Sequence, residues 1–362
     1  WLLIRSSGPP IHQVSGGKKR NFDRPLARAT LALGMGDRSG VPMLTAYHYS
    51  NKRLEVLPIS AGLEHAEWID LLRATPEEEA AVRALGVDVP TLAEMEEIEI
   101  SNRLYRENDT DFLTVVLPGQ DAAGAQVMSP VCFAVRPGLL VTIRHHAPRP
   151  FETYPARAEK SSLGCATPDR IFLGLIEEVI ARLADHLETA GRGLDAVSRV
   201  IYQPGPKGHR PEDLQGALAS LGGEGERVGR VRLALLTLGR ALNYVDQQMG
   251  HQLNGEGLGL VLKGELRDID ALEVHADFLS SRLGLMSDAT MGTINLAQNN
   301  TVRIVSVVAV LFSPPTLIAS IYGMNFVHMP ELPQVWGYPL ALGVMIGSAV
   351  LTYAVFRWKG WL

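Results

Sequence analysis

A chain of 362 residues, 46% of them hydrophobic and with a formal charge of −5, has room for one sizeable soluble domain and a pair of membrane spans. It lacks the basic face that nucleic acid demands. Its two cysteines, Cys132 and Cys165, exclude a disulfide framework and have no metal-ligand spacing, so both are expected as reduced structural thiols.

Residues 1–42 mix Gly, Pro and Ser with the basic run Lys18, Lys19, Arg20 and show no periodicity, so they read as a disordered extension. The apolar start at Trp1 is shorter than a signal-peptide core. Translation is expected to begin at Met43, with the preceding segment dispensable.

A soluble α/β domain is expected over residues 43–165. Two short apolar runs around Asn51, Lys52 and Arg53 predict a strand hairpin within 44–58, and 68–72 predicts another strand. Thr75 is placed to cap a helix with Pro76 at its first position and Glu77, Glu78 and Glu79 in its first turn, where acids favour the positive end of the dipole. Glu94, Glu96, Glu97 and Glu99 predict a second helix with Leu92, Met95 and Ile98 on its apolar side. Its acids make either a solvated face or a divalent-cation site. Four more strands are predicted over 103–106, 112–117, 131–135 and 139–144, bounded by Pro118, Gly119, Pro137 and Gly138. His145 and His146 follow. Adjacent residues of a strand point to opposite faces, so these two do not ligate one ion together. No Ser/His/Asp set, phosphate-cradling loop or CxxC gives enzyme chemistry a seat.

A long-helix region is expected over 166–300. Apolar residues at three and four spacing predict a helix over 171–202, and return helices are predicted over 212–221 and 227–249, joined by Gly222 and Gly223. Gly255, Gly257 and Gly259 lack a preceding strand and read as a turn between helices. From Leu260 there is no proline until Pro314, so one helix is expected to run unbroken to Tyr322, about 95 Å at 1.5 Å per residue.

Residues 301–362 predict a membrane hairpin. Uncharged runs of about 19 and 22 residues, 304–322 and 335–356, are each long enough to cross a bilayer. Arg303, Arg357 and Lys359 flank the spans and the loop between carries no Lys or Arg, so both ends are expected to face the cytoplasm. Pro314 and Pro315 are expected to kink or loosen the first span.

Along the long helix one set of positions advances by fours and threes: Asp288, Gly292, Asn295, Asn299, Val302, Ser306, Ala309, Ser313, Thr316, Ser320. Such a repeat keeps one seam towards a bundle axis. A packed seam would hold Leu and Ile; this one is small or polar. Small residues permit close helix packing in lipid, but amides and a carboxylate are costly against a dry neighbour, which favours a water-filled path. Val302, with Val305 nearby, interrupts it. A single candidate pore helix per chain implies an oligomer.

The first span ends in Gly323, Met324, Asn325, followed by Phe326, Met329, Pro330, Glu331 and Leu332. In that setting the stretch resembles the signature of the CorA family of magnesium transporters. The likeness reaches back through Asn299, Ser306, Pro314, Pro315 and Thr316, and over the soluble part from about Met43. The resemblance implies an α+β fold: a cytoplasmic mixed sheet flanked by helices, a long helix continuing into two C-terminal spans, and a homopentamer in the inner membrane, first spans inside and second spans outside. It also implies that Gly323, Met324 and Asn325 form a selectivity mouth. A ring of Asn325 carbonyl oxygens suits magnesium, which holds its first-shell waters tightly and can be recognised through them. Glu331 would draw cations to the entrance. Val302 and Val305 stand at the family's hydrophobic constriction, where bulkier Met, Leu or Ile are familiar, and can close it by dewetting. Asp288 matches an acidic position of the inner funnel and is, with Asn325, a candidate metal contact. Magnesium is then substrate and regulatory ligand, sensed by carboxylates between subunits, with no other cofactor. Partners are the chain's own copies, lipid and divalent cations. Alternatives are transport of Co2+, Ni2+ or Zn2+, or a membrane-tethered sensor or scaffold.

Overall fold

The computed structural model describes residues 44–58, 62–161, 163–203, 210–255, 257–324, 330 and 334–360. The chain opens with β1 (Leu44–Ser50) and β2 (Arg53–Val56), a hairpin turned by Asn51 and Lys52 at φ 52° and 67°, the left-handed pair that a two-residue turn needs. Next come β3 (Trp68–Leu72), α1 (Pro76–Ala84), α2 (Leu92–Glu96) and α3 (Ile100–Arg103). Four strands complete the sheet: β4 (Leu104–Glu107), β5 (Thr110–Gln120), β6 (Gln126–Arg136) and β7 (Leu139–Arg144). Their order is β2-β1-β3-β7-β6-β5-β4, and only the β3–β7 pair is parallel.

Strand alternation supplies two cores. Cys132 and Ala134 join Ile69, Leu71 and Phe112 under Val82 and Met95 of α1 and α2. Val131, Phe133 and Val135 face the other way, with Trp68 and Leu140, onto α4 (Pro150–Arg157) and α5 (Pro168–Tyr202). The result is a mixed sheet with helices on both faces.

Three local expectations are corrected. Pro118 and Gly119 do not end their strand; they lie inside β5. The N–H of Val116 points away from β6, donating to Thr237 Oγ1 at 3.1 Å, so two residues on Pro118 meets an edge where no ladder bond is lost. The acidic helix is a single short turn. The Thr91–Glu94 capping box starts α2, Glu97 already leaves it at ψ 139°, and Ile98 stands 88% exposed instead of packing. Gly222 and Gly223 do not break the return helix, because α6 runs continuously over Pro211–Gly255. Leu221, Val228 and Val231 are buried to either side of the pair. Their packing outweighs roughly 1 kcal/mol of intrinsic helix cost per glycine.

The turn at Gly257, φ +76°, leads into α7 (Gly259–Tyr322), 64 residues or about 95 Å of helix. In its first half α7 lies parallel to α5 and antiparallel to α6. A Cβ on Gly191 or Gly239 would touch Leu279 or Ile269, and Arg282 pairs with Asp195 at 2.6 Å. Leu262, Ile269, Ala276, Leu279 and Met286 fill that seam. Beyond Thr290 the one further buried residue of α7 among the described residues is Val307, in the stretch that packs on α8 (Gly337–Trp358).

Candidate ion-conduction path

α7 and α8 are both long and apolar enough to cross a membrane. Their contact is made by one face of each. On α7 the covered residues are Val307, Leu311, Pro314, Pro315 and Ile318. On α8 they are Gly337, Ala341, Met345, Ser348, Thr352 and Phe356, mostly small side chains that let two helices approach closely. Ser348 and Thr352 donate back to the carbonyls of Met345 and Ser348 at 2.8 and 2.9 Å, so this face brings no unpaired hydroxyl to the contact.

The small and polar seam of α7 lies on the opposite arc, about 200° round at roughly 100° per residue. Asp288, Asn295, Asn299, Val302, Ser306, Ala309, Ser313, Thr316 and Ser320 are all exposed in the single chain. Thr316 donates to Phe312 O at 2.7 Å. Among the described residues the hydroxyls of Ser306, Ser313 and Ser320 and the amides of Asn295 and Asn299 have no protein partner, unlike their counterparts on α8. Val302 and Val305 are each 63% exposed, and α8 covers neither.

The helix runs through Pro314 and Pro315 without a break and caps at Gly323, whose N–H donates to Ala319 O at 2.9 Å. Gly323 sits at φ −85°, so no left-handed exit requires glycine. What its missing Cβ avoids is a 3.2 Å contact with the Ala319 carbonyl. Met324 follows, exposed, its N–H donating to Ile321 O at 3.2 Å. Asn325 and Glu331 lie outside the described residues.

The remaining polar residues separate into structural roles. His146 is buried and donates from Nε2 to Leu117 O at 2.9 Å, and burial pushes its imidazole down to about 4. His145 is half-buried and also lowered by burial. Glu94 is spent on its capping box. Among the described residues of one chain, no three His, Cys, Asp or Glu side chains come together as a metal site.

Stepping the same fours and threes back from Asp288 reaches Leu285, Ser281, Phe278 and Val274, and the three large apolar members are exposed. Sequence reasoning stopped at Asp288 and missed this extension, although the periodicity carried it.

Fold and path together define a class: a membrane protein with a mixed-sheet domain on a helical bundle and one long helix that leaves the bundle as a span with a polar face. Residues 64–358 match the family model described as CorA-like Mg2+ transporter protein. The magnesium transport protein CorA of Escherichia coli K12 is 37% identical over 324 residues, covering 88% of this chain and all of that protein. Its Salmonella typhimurium counterpart is 36% identical over the same length. Among solved structures, the CorA magnesium transporter of Methanocaldococcus jannaschii superposes with a TM-score of 0.67 at 17% identity, covering 89% of this chain and 99% of that one. The full-length CmaX protein gives 0.54 at 17% identity, over 88% and 99%. The chain belongs to the CorA family.

Proposed function

We propose that this chain is a magnesium transporter of the inner membrane, working as a ring of identical copies whose α7 spans surround a water-filled path. Family membership supports the ion. The observation that carries the path is the exposed polar arc of α7, with unpartnered hydroxyls and amides, turned away from the one span that covers the helix. Such groups are costly in lipid and are satisfied by water in a pore. The exposed Val274, Phe278 and Leu285 on the same stripe support self-association, since one chain leaves an apolar surface that copies of it would cover.

In this reading five copies form the ring, and Asn325 recognises hydrated Mg2+ at the mouth formed with Gly323 and Met324. Glu331 attracts cations, and Val302 with Val305 forms the hydrophobic constriction. Cytosolic Mg2+ bound by carboxylates between subunits holds the path shut, and Asp288 is a metal contact of the inner funnel. Arg303, Arg357 and Lys359 put both ends in the cytoplasm. The membrane potential then favours entry by roughly 4.6 kcal/mol for a divalent ion across about 100 mV. Neither nucleotide nor covalent chemistry is needed.

The test is Mg2+ uptake by the purified full chain in liposomes holding a magnesium-sensitive dye. Uptake should follow the imposed potential and be lost in Asn325→Ala with reconstitution unchanged. Preference for Co2+, Ni2+ or Zn2+ over Mg2+ would reassign the substrate. No flux of any divalent ion would leave a tethered sensor or scaffold.

A further inference from the structure

We propose that Glu265 is a proton-binding residue that sets how tightly α7 packs on α5. Glu265 sits between Leu262 and Ile269 on the buried stripe of α7, itself only 8% exposed. No hydrogen bond or ion pair reaches it among the described residues. The offset that sets Gly191 beside Leu279 and Asp195 beside Arg282 brings Glu177 of α5 opposite it. The charged groups acting on it are Glu177 and, one turn along α7, Asp268, both of its own sign. α6 packs against the same stretch, with Gly239 beside Ile269, and among the described residues no cation of α6 acts on Glu265.

Elsewhere the fold treats buried charge differently. Asp70 is buried too, but the Arg144 guanidinium grips it with two hydrogen bonds, at 3.0 and 2.7 Å. An unpaired carboxylate in an apolar helix seam is costly, whereas the protonated acid is close to an ordinary polar side chain. Burial first, then the two neighbouring carboxylates, lift the Glu265 carboxyl to about 7.

The sign follows. With α5 and α7 packed, the proton is held up to about pH 7; splayed into water, the carboxyl would release it near its ordinary 4.5. Packing is therefore fully supported below about 4.5, and that support is lost as pH rises through 7. A neutral cytosol lies at the upper edge of this window, so acidification tightens the seam. Any effect on ion flow rests on the reading of α7 as the pore helix; the packing claim does not.

Hydrogen exchange of the full-length protein, corrected for intrinsic rates, tests the packing directly. Protection over residues 173–180 and 262–269 should fall about tenfold between pH 6 and pH 8. Glu265→Gln, which keeps the shape without the charge, should stay protected at both. Glu177→Gln should move the wild-type midpoint to lower pH, and this variant decides the matter if Glu265→Gln does not assemble. A wild-type protein with no change between the two pH values, a Glu265→Gln variant with the wild-type change, or an unmoved midpoint in Glu177→Gln would overturn the proposal. None of these readings involves ion flux, so failure of the transport assay would be a separate result.

Discussion

Removing Arg144 from the end of β7 tests whether the sheet depends on a paired buried charge. Arg144 donates from Nε and Nη2 to the two carboxylate oxygens of Asp70 on the parallel neighbour β3, and from Nη1 to His146 O at 3.0 Å. Asp70 Oδ1 also accepts from Thr142 Oγ1 at 2.7 Å, and that hydroxyl accepts from Trp68 Nε1 at 3.0 Å. The guanidinium lies 5.0 Å from the centre of the Phe151 ring, which ties α4 to the strand end. Arg144→Met keeps most of the volume but strands the Asp70 charge, a loss of about 3–5 kcal/mol, with about 1 kcal/mol more from the cation–π contact. For a domain of this size that lowers the melting midpoint by on the order of 10 °C. Asp70→Leu should cost a similar amount. The double variant Asp70→Leu/Arg144→Met should recover most of it, because no buried charge then lacks a partner. The assay is thermal unfolding of the purified full chain, comparing midpoints across the four proteins. Single variants within about 1 kcal/mol of wild type, or strictly additive losses, would refute the reasoning.

Three further outcomes are expected. His146 is held neutral, its pKa about 4 against an ordinary 6.5, so its contribution is complete above pH 6.5 and lost as pH falls through 4; His146→Asn should flatten acid-induced unfolding over that window, followed by fluorescence. Ile98 is 88% exposed, so Ile98→Lys should change stability by less than about 0.5 kcal/mol in a thermal melt, whereas Met95→Ala, three residues earlier and buried, should cost about 2–4 kcal/mol. Val302→Ser removes the apolar break in the polar arc; under the proposed gating, liposome flux that falls with internal Mg2+ in the wild type should persist in this variant.

Much of the fold was legible because its signals are local. Asn51 and Lys52 between apolar runs marked the first hairpin, Thr75 with Pro76 and Glu78 marked the start of α1, and the absence of proline marked the length of α7. The misses came where tertiary contacts override local preference. Helix contacts carry α6 through Gly222 and Gly223, a ladder with one open side tolerates Pro118, and an early exit at Glu97 strips Ile98 of its expected cover. The seam of the long helix was readable from its period alone. Which side α8 leaves open was not, since that depends on a contact between two spans, each of which also carries small or hydroxyl side chains that could pack. Glu265 was passed over because an acid amid apolar residues looks like a solvated position until the opposing helix is in place. Asn325 and Glu331, on which ion recognition was expected to rest, fall outside the described residues.

The proposed ion path wets the arc of α7 that faces away from α8. Cys132 and Cys165 are both buried, so cysteines introduced singly can be probed against a quiet background with a charged, membrane-impermeant thiol reagent during Mg2+ uptake into liposomes. Ser313→Cys and Thr316→Cys should be blocked by the reagent, while Ile346→Cys and Val350→Cys, on the outer face of α8, should not. Block at Ile346→Cys or Val350→Cys with none at Ser313→Cys and Thr316→Cys would contradict it.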